Sequence, residues 1–200
     1  MIPGTQILTH PRAYLIWQGK FAEQKLVPLN AHNDLSRVRR VLDVGCGPGT
    51  NTRHFASAGY LGVDMNPAYI AYARRRHKRD FLVADVCEYT AEPGQKYDFI
   101  LVNSFLHHID LPNTRRILAH LATLLTDDGH IHIIEVVMPE KERVARQLAR
   151  WDRGQFVRPL AEWKEIFSET FEPRVFEPFW LSRLGIKLWN MAYFKGRARS

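Results

Sequence analysis

The chain has 200 residues, 46% of them hydrophobic, which suits one globular domain with a substantial core. It carries a formal net charge of +7 and contains two cysteines, Cys46 and Cys87, too few for a disulfide framework and typical of a reducing compartment. The N-terminal residues lack the basic and apolar segments of a signal peptide, and no apolar run approaches the roughly 20 residues of a membrane span. We therefore expect a soluble, cytoplasmic protein.

The basic residues occur in stretches spread along the chain, at 37–40, 74–79, 143–158 and 183–199. This distribution suits a weakly anionic partner, but solvated helix faces account for most of it. Nucleic acid is therefore not favoured as a substrate. Peripheral contact of the basic, aromatic C-terminal third with a membrane stays open, and the sequence does not determine the oligomeric state.

Aromatic residues near the N-terminus predict a helix over residues 11–29. Tyr14, Trp17 and Phe21 recur at spacings of three and four, which places them on one face of a helix. The simplest interpretation is a helix that packs on the domain. A polar, charged connection then leads into the first strand.

A glycine-rich turn follows the first predicted strand, residues 41–44. Gly45, Gly47 and Gly49 stand at alternate positions, and glycine lets the backbone turn tightly and approach a ligand that a Cβ would exclude. A short helix predicted over 51–58 would then present free N–H groups and a positive dipole end. The pattern predicts a strand-turn-helix cradle for a nucleotide.

Two further predicted strands end in acidic residues. Residues 60–64 end at Asp64, whose carboxylate could accept both ribose hydroxyls of an adenosine. Residues 81–86 carry Asp85, which could accept the adenine amino group. These acids favour an adenosine-containing ligand.

An uninterrupted apolar run over 97–102 predicts a central parallel strand that is buried on both faces. It leads into Asn103-Ser104 and then into Phe105-Leu106-His107-His108. In open parallel sheets the ligand lies beyond the carboxyl ends of the strands. We therefore expect these residues to face the reaction site.

The other segments alternate between helices and strands. Helices are predicted over 67–76, 112–126, 140–151 and 159–167, and strands over 130–137, 175–180 and 188–194, with the loop 181–187 joining the last two antiparallel. The first of these helices begins at Asn66-Pro67, an N-cap followed by a proline suited to the first turn. This alternation predicts right-handed βαβ crossovers in a doubly wound sheet. An amphipathic membrane tail is the alternative for residues 180–195.

Four segments resemble the ordered motifs of class I S-adenosylmethionine-dependent methyltransferases. They are Asp43-Val-Gly-Cys-Gly-Pro-Gly, Gly62-Val-Asp-Met-Asn-Pro, Ala84-Asp-Val and Asp98-Phe-Ile-Leu-Val-Asn-Ser-Phe-Leu-His-His. The resemblance spans residues 38–138. It implies an α/β, Rossmann-like, doubly wound and mostly parallel seven-stranded sheet, with helices on both faces and an antiparallel closing strand near the C-terminus. It also implies S-adenosyl-L-methionine as the cofactor and S-adenosyl-L-homocysteine as its product.

The resemblance further implies a single methyltransferase domain over residues 1–200. Its expected parts are a lid helix (11–29), a cofactor-binding core (38–138), substrate-side helices (139–170) and a closing strand pair (171–200). The lid is expected because similar methyltransferases place a helix there, before the sheet. Tyr14 and Trp17 are its candidates for ligand contact.

Cofactor-binding roles follow from the motif positions. The predicted residues are Tyr14, Asp43, Gly45, Cys46, Gly47, Asn51, Asp64, Met65, Asp85, Val86, Asn103 and Ser104. Cys46 is expected there as a small side chain that fits the turn, not as a nucleophile. No metal is predicted, because the acid-rich magnesium site of catechol-type O-methyltransferases is not evident.

His107 and His108 are the catalytic candidates, because histidine titrates near neutrality and could take a proton from a phenol, enol or amine. A structural hydrogen bond is the alternative for at least one of them. Glu135, near the end of the next strand, is a further candidate base or a pocket-edge acid. Methyl transfer from a sulfonium is an in-line displacement that depends largely on alignment, so a base is needed only if the acceptor keeps its proton.

The sequence therefore predicts a methyltransferase for a small, partly apolar acceptor. Aromatic side chains that could line its closed pocket, or belong to the core, are Trp17, Phe105, Trp151, Phe156 and Trp163. The alternatives are a lipid- or quinone-like acceptor at a membrane surface, and a cofactor-binding module without turnover. A nucleotide-dependent dehydrogenase is disfavoured, because the turn lacks the third glycine of G-x-G-x-x-G.

Overall fold

The computed structural model describes residues 21–92, 94–151 and 154–199. The chain divides into two compact units, Met1–Thr90 and Ala91–Ser200. The predicted lid residues Tyr14 and Trp17 lie outside the described residues. None of the helices within the described ranges is long and apolar enough to cross a membrane.

The described residues of the first unit form three parallel strands and two α-helices. In chain order these are α1 (Ala22–Ala31), β1 (Arg40–Val44), β2 (Gly59–Asp64), α2 (Pro67–Arg76) and β3 (Asp80–Val83), with 3-10 helices at Leu35–Arg37 and Thr52–Phe55. Strand β2 pairs in parallel with β1 and with β3, so the carboxyl ends of all three lie at one edge. Helix α2 starts as predicted, because the Asn66 side chain accepts hydrogen bonds from the N–H groups of Ala68 and Tyr69.

The helix predicted over 51–58 is wrong in type and length. The segment forms only the 3-10 turn Thr52–Phe55, after which Gly59 begins β2. The Arg79 guanidinium donates hydrogen bonds to the carbonyl oxygens of residues 55, 56 and 58, and these bonds hold the segment as a tight turn against the end of α2 and the start of β3. This contact joins parts of the chain more than 20 residues apart, so local propensity does not report it.

The strand predicted over 81–86 is also shorter than expected and ends at Val83. Asp85 begins a turn instead, because its carboxylate Oδ1 accepts the N–H of Cys87 at 2.8 Å. The backbone carbonyl of Asp85 also accepts the N–H groups of Glu88 and Tyr89.

Gly62 lies in β2 against Phe81 and Cys46, and Gly62→Ala is expected to lower the free energy of unfolding by about 1–3 kcal/mol. A Cβ at this position would stand 2.7 Å from Cδ1 of Phe81 and 2.8 Å from Sγ of Cys46. Urea denaturation measures the loss. Gly59→Ala is the matched control on the same strand, because its Cβ would meet nothing nearer than the Arg39 carbonyl oxygen at 3.5 Å. Equal losses in the two variants would contradict the packing argument.

In the second unit, the part of the chain that the structure describes forms four strands and three α-helices. In chain order these are β4 (Tyr97–Asn103), a 3-10 helix (Leu106–His108), α3 (Leu111–Thr123), β5 (Leu125–Val136), α4 (Arg143–Trp151), α5 (Leu160–Thr170), β6 (Phe171–Arg183) and β7 (Ile186–Ala198). Strand β4 pairs with β5 in parallel, whereas β7 pairs antiparallel with both β5 and β6.

The strand order is β3-β2-β1-β4-β5-β7-β6 in one seven-stranded sheet. The sheet is mostly parallel, is flanked by helices and ends in antiparallel C-terminal strands, which confirms the predicted fold class. The centre of its middle strands is largely apolar, and Val102, Ile133 and Phe194 are all fully buried there. A strand covered on both faces must be apolar on both sides.

The junction between α3 and β5 differs from the prediction. The helix ends at Thr123 and the strand already begins at Leu125, whereas the sequence predicted a helix to residue 126 and a strand only from residue 130. Strand β5 begins earlier than predicted because Leu125 pairs with Tyr97 of β4. The next pair is Phe99 with His130, so an irregular register accommodates the additional β5 residues between these two pairs. Such bulges are set by the neighbouring strand and not by local sequence.

The closing strands are longer than predicted. They span Phe171–Arg183 and Ile186–Ala198 and are joined by the two-residue turn Leu184-Gly185, not by the loop 181–187. Residues 180–195 therefore lie in these two strands and their turn, so the alternative of a separate amphipathic tail is wrong. Strand β6 is one of the two edge strands of the sheet, and it contains Pro173 and Pro178, residues that are tolerated in an edge strand.

Candidate active site

The glycine turn is bound to the end of β2. Gly45, Gly47 and Gly49 adopt φ values of 65°, 54° and 80°, a region that residues with a Cβ seldom occupy. The N–H groups of Gly45 and Cys46 both donate to the Val63 carbonyl, at 2.8 and 3.1 Å. The N–H of Gly47 donates to Oδ2 of Asp64 at 2.9 Å. The alternate glycines therefore fold the turn against the strand that carries Asp64.

Beneath the turn lies a buried network centred on Asp43. Its carboxylate accepts hydrogen bonds from Nδ2 of Asn51, at 3.2 and 3.1 Å, and from the Tyr60 hydroxyl at 2.5 Å. Asp43 is 0% exposed and Asn51 is 7% exposed. This arrangement favours a role for both side chains in holding the turn over direct contact with a cofactor.

Burial raises the pKa of Asp43 to about 7, although Tyr60 and Asn51 oppose the shift with their hydrogen bonds. The folded state then keeps a proton that the unfolded state, with a pKa of 3.8, has lost. The contribution of Asp43 to the free energy of unfolding should therefore fall as pH rises from about 4 to about 7, by roughly 1 kcal/mol per pH unit.

The Asp43→Asn variant tests this titration by urea denaturation over that pH range. The pH dependence of its stability should be flatter than that of the wild type, whatever the absolute stability of the variant. Parallel curves would show that Asp43 does not titrate there.

Cys46 is buried at 3% exposure. Burial raises the pKa of its thiol far above the usual range, and the charges of Asp43 and Asp64 raise it further. A buried thiol that keeps its proton is a poor nucleophile, which favours a packing role for Cys46 in the turn.

The two acids predicted to bind an adenosine lie at the carboxyl ends of neighbouring strands. Oδ1 of Asp64 accepts the N–H of Asn66 at 2.8 Å, while Oδ2 accepts Gly47. Burial raises the pKa of Asp64, and these two bonds partly offset the effect. Asp85 follows β3, whose Val83 pairs with Asp64. Met65 beside them is exposed, whereas Val86 is buried.

This donor and acceptor set fits an adenosine. Each oxygen of a carboxylate can accept more than one hydrogen bond, so Asp64 keeps acceptor capacity for the two ribose hydroxyls. Asp85 supplies a second carboxylate at the same edge, suited to an exocyclic amine. The glycine turn brings its backbone to that edge without intervening side chains.

In the second unit, the backbone after β4 is held in a strained conformation. Ser104 has a φ of 55°, unusual for a residue other than glycine. Its N–H donates to the Ile134 carbonyl at 2.7 Å, and its Oγ lies 3.2 Å from Oδ1 of Asn103. Strain of this kind is typical of functional sites.

A fully buried carboxylate, Glu135, organises the turn after Ser104. Its Oε1 accepts the N–H groups of Phe105 and Leu106, at 2.7 and 2.5 Å, and its Oε2 lies 2.7 Å from Nδ1 of His107. Burial alone would raise the pKa of Glu135, but the charge of His107 and these hydrogen bonds outweigh it and lower the pKa. Glu135 is thus held as a carboxylate that fixes the orientation of His107.

The two predicted histidines have different environments. His107 is 3% exposed, whereas His108 is exposed, and their ring centroids are 4.1 Å apart. Gly154 lies directly against the His107 ring, where any Cβ would overlap it. The carbonyl of His107 also accepts the N–H of Phe156 at 2.9 Å. The His107 ring is therefore enclosed, and His108 is the accessible member of the pair.

Arg158 binds backbone carbonyls on either side of the enclosed His107 turn, a role that its sequence position does not reveal. It is 5% exposed, and its guanidinium donates to the carbonyls of Phe156 and Ile109 at 3.1 and 3.0 Å. It also pairs with Glu162 at 3.2 Å and lies 4.7 Å above the Trp163 ring. Burial lowers the pKa of Arg158. The only sequence signal was the i, i+4 spacing to Glu162.

The aromatic residues proposed for a pocket divide into core and partly exposed positions. Trp163 is fully buried, donates to the Val136 carbonyl at 2.9 Å and stacks on Phe167, so it belongs to the core. Phe105 is half-buried and Phe156 is 36% exposed. Trp17 and the side chain of Trp151 lie outside the described structure.

Among the described residues no group of three or more His, Cys, Asp or Glu side chains could hold a metal ion, and the absence of a metal stays a prediction.

A Rossmann-type sheet with a glycine turn after β1, an acid at the end of β2 and a second acid after β3 is an arrangement typical of nucleotide-binding α/β proteins. Residues 41–129 match the family model of a methyltransferase domain. A trans-aconitate 2-methyltransferase of Escherichia coli O139:H28 is 32% identical over 166 residues, which cover 76% of this chain and 62% of that protein.

Solved structures show the same fold. A protein of Pyrococcus horikoshii superposes with a TM-score of 0.69 at 15% identity, covering 92% of this chain and 91% of its own. The N-methyltransferase NodS of Bradyrhizobium japonicum, solved with S-adenosyl-L-homocysteine, gives a TM-score of 0.66 at 15% identity, covering 92% and 87%.

The chain is therefore similar in sequence and in fold to S-adenosylmethionine-dependent methyltransferases. It spans 62% of the length of its Escherichia coli relative.

Proposed function

We propose that this protein transfers a methyl group from S-adenosyl-L-methionine to a small-molecule acceptor. The observation that carries the proposal is the pairing of Asp64 with the glycine turn, which presents a carboxylate and bare backbone at one edge of three parallel strands. The likeness to trans-aconitate 2-methyltransferases supports a small organic acid as the first acceptor to test.

The cofactor supplies an activated methyl group, so the protein contributes binding and alignment. Asp64 would receive the ribose hydroxyls and Asp85 the adenine amino group, while Gly45 and Gly47 admit the cofactor to the backbone. Asp43 and Asn51 would hold that turn from beneath. The enclosed turn after β4, carried by Glu135, would orient the residues that meet the acceptor.

The need for a base depends on the acceptor. A carboxylic acid has lost its proton at neutral pH and can attack a methyl group directly, whereas a phenol or amine must give up a proton. His108 is exposed beside His107 and is the better placed of the two to take it. His108→Ala should therefore leave turnover of a carboxylate nearly unchanged and should lower turnover of a phenol.

The test uses purified protein with methyl-labelled S-adenosyl-L-methionine. Trans-aconitate, other small organic acids, phenols and amines are offered one by one, followed by the lipid, RNA and protein fractions of a cell extract. Label in a small molecule supports the proposal and names the acceptor class. Label only in lipid, RNA or protein overturns the small-molecule assignment. Binding of S-adenosyl-L-homocysteine without any transfer favours a module that binds cofactor without turnover.

A further inference from the structure

The end of the β6–β7 hairpin extends past the strand beside it. In the described part of the chain, β7 pairs with β5 only over residues 191–196, whereas its pairing with β6 continues to Ile186. Residues 180–189 therefore form a two-stranded ribbon, which we call the hairpin tip.

The turn of the hairpin tip carries an unexpected residue. Leu184 and Gly185 have φ values of 51° and 77°, the positive pair that a two-residue type I′ turn requires. Asn, Asp and Gly adopt this conformation readily, whereas leucine does not. Leu184 is also 94% exposed, so packing does not account for it. A strained, exposed, apolar residue at the end of a ribbon indicates a function outside the fold.

The surroundings of Leu184 define the chemistry of a partner. Ile186 beside it is 57% exposed, and Arg183 and Lys187 flank the pair. Residues 180–189 contain no acidic residue. Lys187 lies 4.9 Å from the centroid of the Trp180 ring. Apolar side chains at the apex, cations beside them and a tryptophan ring in contact with one of the cations are features of segments that dock at a membrane interface.

We propose that the hairpin tip docks on an anionic phospholipid surface. Leu184 and Ile186 enter the boundary between headgroups and acyl chains, and Arg183 and Lys187 meet the lipid phosphates. The hairpin tip of a second copy would carry the same cations, and the two tips would repel each other. Electrostatic attraction therefore favours an anionic lipid surface over a second copy as the partner. This docking does not depend on the identity of the methyl acceptor.

Vesicle co-sedimentation of the full chain tests the proposal. Wild-type protein should bind phosphatidylcholine vesicles that contain phosphatidylglycerol, should bind phosphatidylcholine alone more weakly, and should be released by salt. Leu184→Asn should weaken binding roughly tenfold, since one buried leucine side chain is lost. Asparagine suits the turn, so the variant should fold at least as well as the wild type. Lys187→Gln should mainly reduce the preference for phosphatidylglycerol.

Val27→Gln is the matched control, because Val27 is also an exposed aliphatic residue, at 62%, but lies on helix α1. Its binding to vesicles should equal that of the wild type. Several outcomes would overturn the proposal: no binding by the wild type, equal loss in Val27→Gln, or unchanged binding in Leu184→Asn. A concentration-dependent dimer that Leu184→Asn abolishes would instead make the tip an interface between copies. If Leu184→Asn instead loses affinity for S-adenosyl-L-homocysteine, the hairpin tip serves cofactor binding as a lid and not membrane docking.

Discussion

Glu135→Ala is expected to abolish methyl transfer and to lower the free energy of unfolding by about 3–5 kcal/mol. The carboxylate is 0% exposed and accepts hydrogen bonds from the N–H groups of Phe105, Leu106 and Val136 while it also contacts His107. Its removal leaves the N–H groups of Phe105 and Leu106 buried without this acceptor, at a cost of about 1–3 kcal/mol each. Chemical denaturation measures the first effect, and labelled transfer to a confirmed acceptor measures the second.

Glu135→Gln separates the fold from the chemistry. The amide oxygen can still accept the N–H groups of Phe105 and Leu106, but the amide NH₂ would meet Nδ1 of His107 as a donor. His107 must then accept at Nδ1, which reverses its tautomer. We expect most of the stability to return, while the pH profile of turnover changes. Glu172→Ala, an exposed acid in β6, is the control and should change neither property. Full recovery of the wild-type pH profile in Glu135→Gln would show that Glu135 only supports the backbone.

Asp64→Ala is expected to weaken binding of S-adenosyl-L-homocysteine at least about a hundredfold. Each hydrogen bond to a charged group is worth about 1.5–3 kcal/mol, and two ribose hydroxyls would be lost together. The variant also loses the bond that holds Gly47 to β2, so the turn itself becomes less ordered. Calorimetric titration gives the affinity, and circular dichroism verifies that the variant is folded.

Asp80→Ala is the matched control for Asp64, because Asp80 is an exposed acid at the amino end of the neighbouring strand β3. It should bind S-adenosyl-L-homocysteine like the wild type. An unchanged affinity in folded Asp64→Ala would mean that the acid serves the turn and not the ribose. Gly47→Ala would then be expected to weaken binding more than Asp64→Ala.

Much of the first unit could be predicted because residues close together in the sequence determine its elements. The strand before Gly45, the acid at Asp64 and the cap at Asn66 are each encoded within a few residues. The central strand β4 is equally clear, because burial on both faces demands an apolar run. What these segments share is that neighbouring residues determine them, so a pattern in the sequence is enough.

The errors and omissions come from contacts between distant residues. Arg79 binds carbonyls more than 20 positions away and leaves only a 3-10 turn where a helix was predicted. Glu135 reaches Phe105 and Leu106 across 29 or more positions, so the sequence suggested an acid at a pocket edge but not its bonds to the backbone. Gly154 and Arg158 enclose His107 and its turn only after folding.

The prolines of β6 bear on how copies of the chain can meet. An outer strand normally offers a row of N–H groups to which a strand of another molecule can add, and this is a common start of aggregation. Pro173 and Pro178 lack that donor, so the row is interrupted at two places along the outer edge of β6. Addition of a strand from another molecule to the edge of β6 is therefore disfavoured. Any assembly of this protein should instead form through contacts between side chains.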